Sequence, residues 1–146
     1  MKTATTEWTV SFHDEFDTEF DAFSKNVQDE LLASAVAVKR LGPDADRPTV
    51  GTLSNPKHPN MKELRFSANN GAEVWRAAFA FDPKRHAIIL VAADKQGVDE
   101  KKFYKDLLKK ANKRFDQHLQ DLKRLESASA PPSSGTAHPR SSRSKK

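Results

Sequence analysis

Apolar and polar positions alternate through WTVSF near the start of the chain, where Trp8, Val10 and Phe12 would share one side of a short strand. Helical spacing then takes over. Phe12, Phe16, Phe20 and Phe23 fall four, four and three residues apart, and Val27, Leu31 and Ala35 continue the stripe. This predicts a helical hairpin over 13–23 and 24–41, with Ser24 capping the second helix and Leu41-Gly42-Pro43 ending it. Pro43, Pro48, Pro56 and Pro59 mark 43–60 as a loop. Three strands follow, at 61–67, 73–82 and 86–93. Asn69-Asn70-Gly71 and Asp82-Pro83 are turn signals, so these strands should form an antiparallel meander. From Val98 to about Glu126 one stripe recurs, made of Phe103, Leu107, Ala111, Phe115, Leu119 and Leu122, with lysine and arginine around it.

The order strand, two helices, three strands, helix predicts an α+β fold. Its sheet would be four-stranded and mainly antiparallel, with the N-terminal hairpin and the C-terminal helix against one face and the other face partly open. Residues 1–126 would form this domain. Residues 127–146, SASAPPSSGTAHPRSSRSKK, contain nothing to bury and read as a disordered basic tail.

Composition narrows the chemistry. The chain has 146 residues and 36% hydrophobic content, which suits one modest core and not two. It has no cysteine, so disulfides, zinc knuckles and thiol catalysis are excluded. No apolar run approaches bilayer length and MKTATTEWTV lacks the core of a signal peptide, so a cytoplasmic protein without a membrane partner is expected. Charge is unevenly placed. Residues 1–56 carry 5 Lys/Arg against 10 Asp/Glu, residues 57–126 carry 16 against 10, and residues 127–146 carry 4 against none. The strand-and-last-helix region is therefore basic, which suits either a polyanionic partner or a solvated face.

Strand alternation places Glu63 and Arg65 on one face and Leu64 and Phe66 on the other. In the next strand it sets Val74, Arg76, Ala78 and Ala80 opposite Trp75, Ala77, Phe79 and Phe81. Arg65 and Arg76 should then leave the same face of the sheet. Two neighbouring guanidinium groups can grip a phosphate through their planar forks of donors. Alternatively, Arg65 pairs with Glu63 or Glu73 as an ordinary surface ion pair. His13, His86, His118 and His138 share no metal-ligand spacing.

The combination of KHPNMKELRF, VWRAAFAFDPKRHAIILVAADK and KKFYKDLLKKANKRF, over about residues 7–122, resembles the phage-derived HigB-type toxins of the RelE/ParE toxin–antitoxin superfamily. The resemblance implies an mRNA interferase, an endoribonuclease that inhibits translation, in most cases at the ribosome. It implies metal-free chemistry with no cofactor, in which the ribose 2′-OH attacks the adjacent phosphate and leaves a cyclic phosphate and a 5′-OH. It also implies a cognate antitoxin, expected to carry a helix-turn-helix domain.

Carried over residue by residue, the resemblance makes Arg76 the phosphate-stabilising arginine and Arg65 a second phosphate contact or a brace. Lys95 would sit at a strand end beside the open face. Tyr104 would stack on a base, relay a proton or simply pack against the sheet edge. Lys57, His58 and Lys62 would help hold RNA, with His58 able to shuttle a proton near neutral pH. Lys101, Lys102 and Lys105, with Lys109, Lys110, Lys113 and Arg114, would make a basic helix surface for RNA. The pattern departs from the better-known superfamily RNases at Met61 and Glu63, where those enzymes carry two lysines. Glu63 on the same face would repel phosphate, unless it acts as a base or orients an arginine. Two other activities fit parts of the pattern: a ParE-like poison of DNA gyrase, and a non-enzymatic RNA- or ribosome-binding module.

Overall fold

The computed structural model describes residues 7–53 and 57–129. Its elements are β1 (Thr9–Phe12), α1 (Asp14–Asp21), α2 (Lys25–Leu41), a short 3₁₀ turn (Gly42–Asp44), β2 (Val50–Thr52), β3 (Met61–Ala68), β4 (Glu73–Phe81), β5 (His86–Asp94) and α3 (Glu100–Ser129). The strands form one sheet in the order β1-β5-β4-β3-β2. β1 runs parallel to β5, and the other neighbours are antiparallel. The expected α+β order is present, with two corrections. The sheet has five strands, because Val50–Thr52, inside the stretch read as loop, pairs with Lys62–Leu64. A three-residue edge strand is too short to leave a periodic signal, and four prolines surround it.

The second correction concerns the layers. Helices cover both faces of the sheet rather than one. On one face Phe16, Val27, Leu31, Ala35 and Val38 of the hairpin pack against Leu64, Phe66, Ala77, Phe79, Phe81 and Ile89. On the other, Phe103, Leu107, Ala111 and Phe115 of α3 pack against Met61, Ala78, Ala80, Ile88 and Leu90. The hydrophobic content thus serves two thin cores divided by the sheet, in place of the single one expected. Each strand residue reaches its layer by the two-residue period.

Local signals explain the joints. The Ser24 hydroxyl accepts from the Val27 amide at 3.3 Å and starts α2. Gly42 ends α2 at φ +56°, a conformation costly for residues with a side chain. Asn69 and Asn70, at φ +54° and +58°, make the β3–β4 turn. Asp82 accepts from the amides of Lys84 and His86 at 2.8 and 2.9 Å and closes the β4–β5 turn. The helix α3 continues three residues past Glu126, and the rest of the expected tail lies outside the described residues. Among the described residues no helix is long and apolar enough to cross a membrane.

Candidate functional site

The α3 face of the sheet is apolar over most of its area and polar at one end. There β3 supplies Glu63 and Arg65, and β4 supplies Arg76 directly opposite Arg65 in the register. Two like charges facing each other across a ladder are unfavourable. The Glu63 carboxylate, 2% exposed, lies between them. Arg65 Nε donates to Glu63 Oε2 at 2.6 Å, and Tyr104 on the second turn of α3 donates its hydroxyl to Glu63 Oε1 at 2.7 Å. Arg76 is bound less fully. Its Nη1 donates to the Trp75 carbonyl at 2.9 Å, and its Nε lies 3.9 Å from Glu63 Oε1. That Nε–H is buried and has no hydrogen-bond partner among the described residues.

Lys95 joins the group from the end of β5. Asp94 accepts from the amides of Val74 and Gln96, both at 3.0 Å, and so shapes the turn that follows the strand. The Lys95 amide donates to the Val74 carbonyl at 2.7 Å, which keeps Lys95 on the Arg76 side of the sheet. Its ammonium lies 5.6 Å from the centre of the Tyr104 ring and 3.3 Å from Glu100 Oε1. Burial, reinforced by the bond to Glu63, pushes the Tyr104 hydroxyl up to about 12, with Arg76 pulling the other way. At neutral pH this tyrosine holds its proton.

The structure therefore brings Arg65, Arg76, Lys95 and Tyr104 together and adds Glu63 at their centre. It does not bring the other candidates there. Lys57 and His58 are held by Asp116 on α3, at 2.7 and 2.8 Å. Asp116 is twelve residues beyond Tyr104, roughly 18 Å along a helix. Lys62 lies on the opposite face of β3 from Glu63 by strand alternation. Lys101, Lys102 and Lys105 are exposed on the first turns of α3, beside Tyr104, and Lys102 pairs with Asp106 at 3.0 Å.

Arg114 leaves the expected basic surface altogether. It is buried, donates to Glu19 at 2.9 and 2.5 Å and to the Leu90 carbonyl at 2.7 Å, and ties α3 to α1 and β5. A groove of about 490 Å³ runs between β1 and α2 along Val10, Phe12, Leu32 and Val36. Its lining cation, Lys39, stands against Asp14 and Asp17, so the groove is a poor place for phosphate.

The family described as "Phage derived protein Gp49-like (DUF891)" matches residues 18–116. The chain belongs to this family. A Mycobacterium tuberculosis (strain ATCC 25618 / H37Rv) protein named "Putative toxin HigB2" is 41% identical over 91 residues, covering 62% of this chain and 44% of that protein. A second, "Putative toxin HigB3" of the same organism, is 32% identical over 100 residues, covering 68% of this chain and 83% of that protein. The chain thus spans less than half the length of the first relative and most of the second. The free-state structure of an arginine-to-alanine double mutant of the E. coli toxin RelE superposes with a TM-score of 0.54 at 11% identity, covering 74% of this chain and 97% of that one. That likeness establishes the shared fold. This Gp49-like chain is HigB-like in sequence and RelE-like in fold.

Proposed function

We propose that this protein is the toxin of a toxin–antitoxin pair and an endoribonuclease that cuts mRNA, most readily at the ribosome, and so inhibits translation. The observation that carries this reading is the hydrogen bond from Tyr104 to the buried Glu63 carboxylate, set among Arg65, Arg76 and Lys95. RNA brings its own nucleophile, so the protein has to take a proton, stabilise charge and return a proton. Glu63 is too buried to touch a ribose, but Tyr104 is half-exposed and bridges the gap.

As the 2′-oxygen bonds to phosphorus, its proton passes to the Tyr104 oxygen while the Tyr104 proton moves to Glu63. The negative charge gathering on the phosphate meets Arg76, whose unpartnered Nε–H is a donor in waiting. The phosphorus–5′-oxygen bond breaks, and the Lys95 ammonium supplies the proton for the 5′-OH. The products are a 2′,3′-cyclic phosphate and a 5′-OH. The exposed Lys101 and Lys105 give the RNA strand a basic approach to the same end of α3. A cognate antitoxin with a helix-turn-helix domain is the partner this reading implies, and the cytoplasm is the compartment.

The test is cleavage of an mRNA by the purified protein, with and without translating ribosomes, for wild type and Tyr104→Phe. Cyclic-phosphate ends made by wild type and lost in Tyr104→Phe support the relay. Cleavage at an unchanged rate in Tyr104→Phe removes it. Absence of cleavage by wild type in both conditions overturns the RNase reading, and a supercoiling assay then tests poisoning of gyrase.

A further inference from the structure

Gly51 sits in β2, the strand that sequence periodicity does not reveal, and is the register partner of Glu63. Its φ is not in the left-handed region, so its backbone would accept an ordinary residue. The space above it would not. A Cβ at position 51 would stand 2.9 Å from both Nε and Nη2 of Arg65 and 3.0 Å from Cζ. These separations are well inside normal contact distance. The Arg65 guanidinium therefore lies directly over the bare Cα of Gly51, and from that position its Nε reaches Glu63 at 2.6 Å.

We propose that Arg65 is a positioning residue that acts through Glu63, and that Gly51 is the floor that lets it do so; the proposal rests on the RNase reading above. The two arginines that face each other across β3 and β4 then divide the work. Arg65 commits its Nε to aiming the carboxylate at Tyr104. Arg76 keeps its Nε for the phosphate. Only a planar group fits this arrangement: a guanidinium lies flat on a glycine and presents Nε–H sideways, whereas a lysine ammonium is a point charge at the end of a flexible stem. A side chain at position 51 would tilt the guanidinium and turn Glu63 away from Tyr104 without touching the phosphate site. Because the clash falls on the mobile end of a side chain, the cost is borne by geometry at Glu63 rather than by the fold.

The experiment measures two quantities for wild type, Gly51→Ala, Arg65→Ala, Arg65→Lys and the double variant Gly51→Ala/Arg65→Ala. One is the cleavage rate at saturating RNA, under whichever ribosome condition the wild type requires. The other is the affinity and salt dependence for an oligonucleotide with a 2′-deoxy sugar at the cut site, which binds without reacting. The expected result is a rate loss of about 10²-fold in Arg65→Ala and about tenfold or more in Gly51→Ala, from misplacement of a reacting group. Affinity should stay within about twofold and the salt slope should not change, because every phosphate keeps its cationic partner.

The double variant should be no slower than Arg65→Ala alone, since the alanine at 51 then meets nothing. Arg65→Lys should not restore the rate. Should Gly51→Ala fold poorly, the two Arg65 variants carry the same comparison of rate against affinity. A loss of affinity of about tenfold with a shallower salt slope in Arg65→Ala would make Arg65 a phosphate ligand and overturn the proposal. So would additive losses in the double variant. A wild type that cuts no RNA overturns the RNase reading itself, and is distinguished from these outcomes by failing before any variant is compared.

Discussion

Arg114 and Arg76 are both arginines set against a carboxylate at the edge of the α3 core, and they are finished differently. Arg114 is well partnered. It holds Glu19 with two donors and the Leu90 carbonyl with a third, and α1, β5 and α3 are fastened together at that point. Arg76 is left short. Its carboxylate neighbour is already committed to Arg65 and Tyr104, and its Nε–H is buried without a partner among the described residues. A buried donor left unmade costs about 1–3 kcal/mol, a cost that Arg76 carries at its Nε. The contrast separates an arginine that fastens three elements together from one with a donor to spare, the donor that the proposed function gives to a phosphate.

The largest effects should come from removing the two arginines themselves. Arg114→Ala loses the bonds to Glu19 and to the Leu90 carbonyl and should cost about 1–3 kcal/mol of stability, read as a fall in Tm. Arg76→Ala should leave stability within about 1 kcal/mol and cut the RNA cleavage rate by about 10²–10³-fold, the loss expected when a transition-state donor is removed. Melting and cleavage measured on both variants check the pair. Equal destabilisation by the two would erase the distinction.

Glu63→Gln sharpens the comparison from the carboxylate side. The chain has a single tyrosine, so alkaline absorbance reports Tyr104 alone. In wild type Tyr104 should stay protonated until the pH nears about 12. A phenol whose folded pKa is raised stabilises the fold below its ordinary value of 10.0, and that stability is lost as pH rises through the folded value. Glu63→Gln removes the negative charge and should move the absorbance transition down toward the ordinary value. An unmoved transition would show that the 2.7 Å bond is not what holds Tyr104.

The acid side should report Arg114 instead. The hydrogen bond from Arg114 holds the Glu19 carboxyl below its ordinary 4.5, and burial followed by Arg114 holds His13 below its ordinary 6.5. Both groups are therefore lowered on folding. Their stabilisation is present above those ordinary values and fades as pH falls through the folded ones. Stability measured from pH 7 down to pH 3 should fall less steeply in Arg114→Ala than in wild type, and as steeply as wild type in Arg76→Ala.

The smallest effects belong to residues that the structure places outside the cluster or on its rim. Lys101→Gln with Lys105→Gln should change stability by no more than about 0.5 kcal/mol and reduce the salt slope of RNA binding by about one for each phosphate left without its lysine. His58→Ala should leave the cleavage rate within about twofold, because His58 is tied to Asp116, roughly 18 Å of helix away from Tyr104. A large rate loss there would restore His58 as a proton shuttle.

Much of this protein was set by its sequence alone. The four-four-three spacing of Phe12, Phe16, Phe20 and Phe23 set the hairpin's apolar face, and alternation in β3 and β4 put Arg65, Arg76 and Glu63 on one face of the sheet. Periodicity is enough for that, because side-chain direction within one element follows from backbone geometry. Which layer each face would meet was decided only by the tertiary structure. α3 lies over the face expected to be partly open, so Glu63, which read as an obstacle to phosphate, became the buried partner of Tyr104, forty-one residues away. The same is true of Gly51, whose strand is too short to announce itself and whose importance depends on a guanidinium from the neighbouring strand. Pattern within an element is local and legible; contact between elements depends on how the layers close, and no spacing along the chain records it.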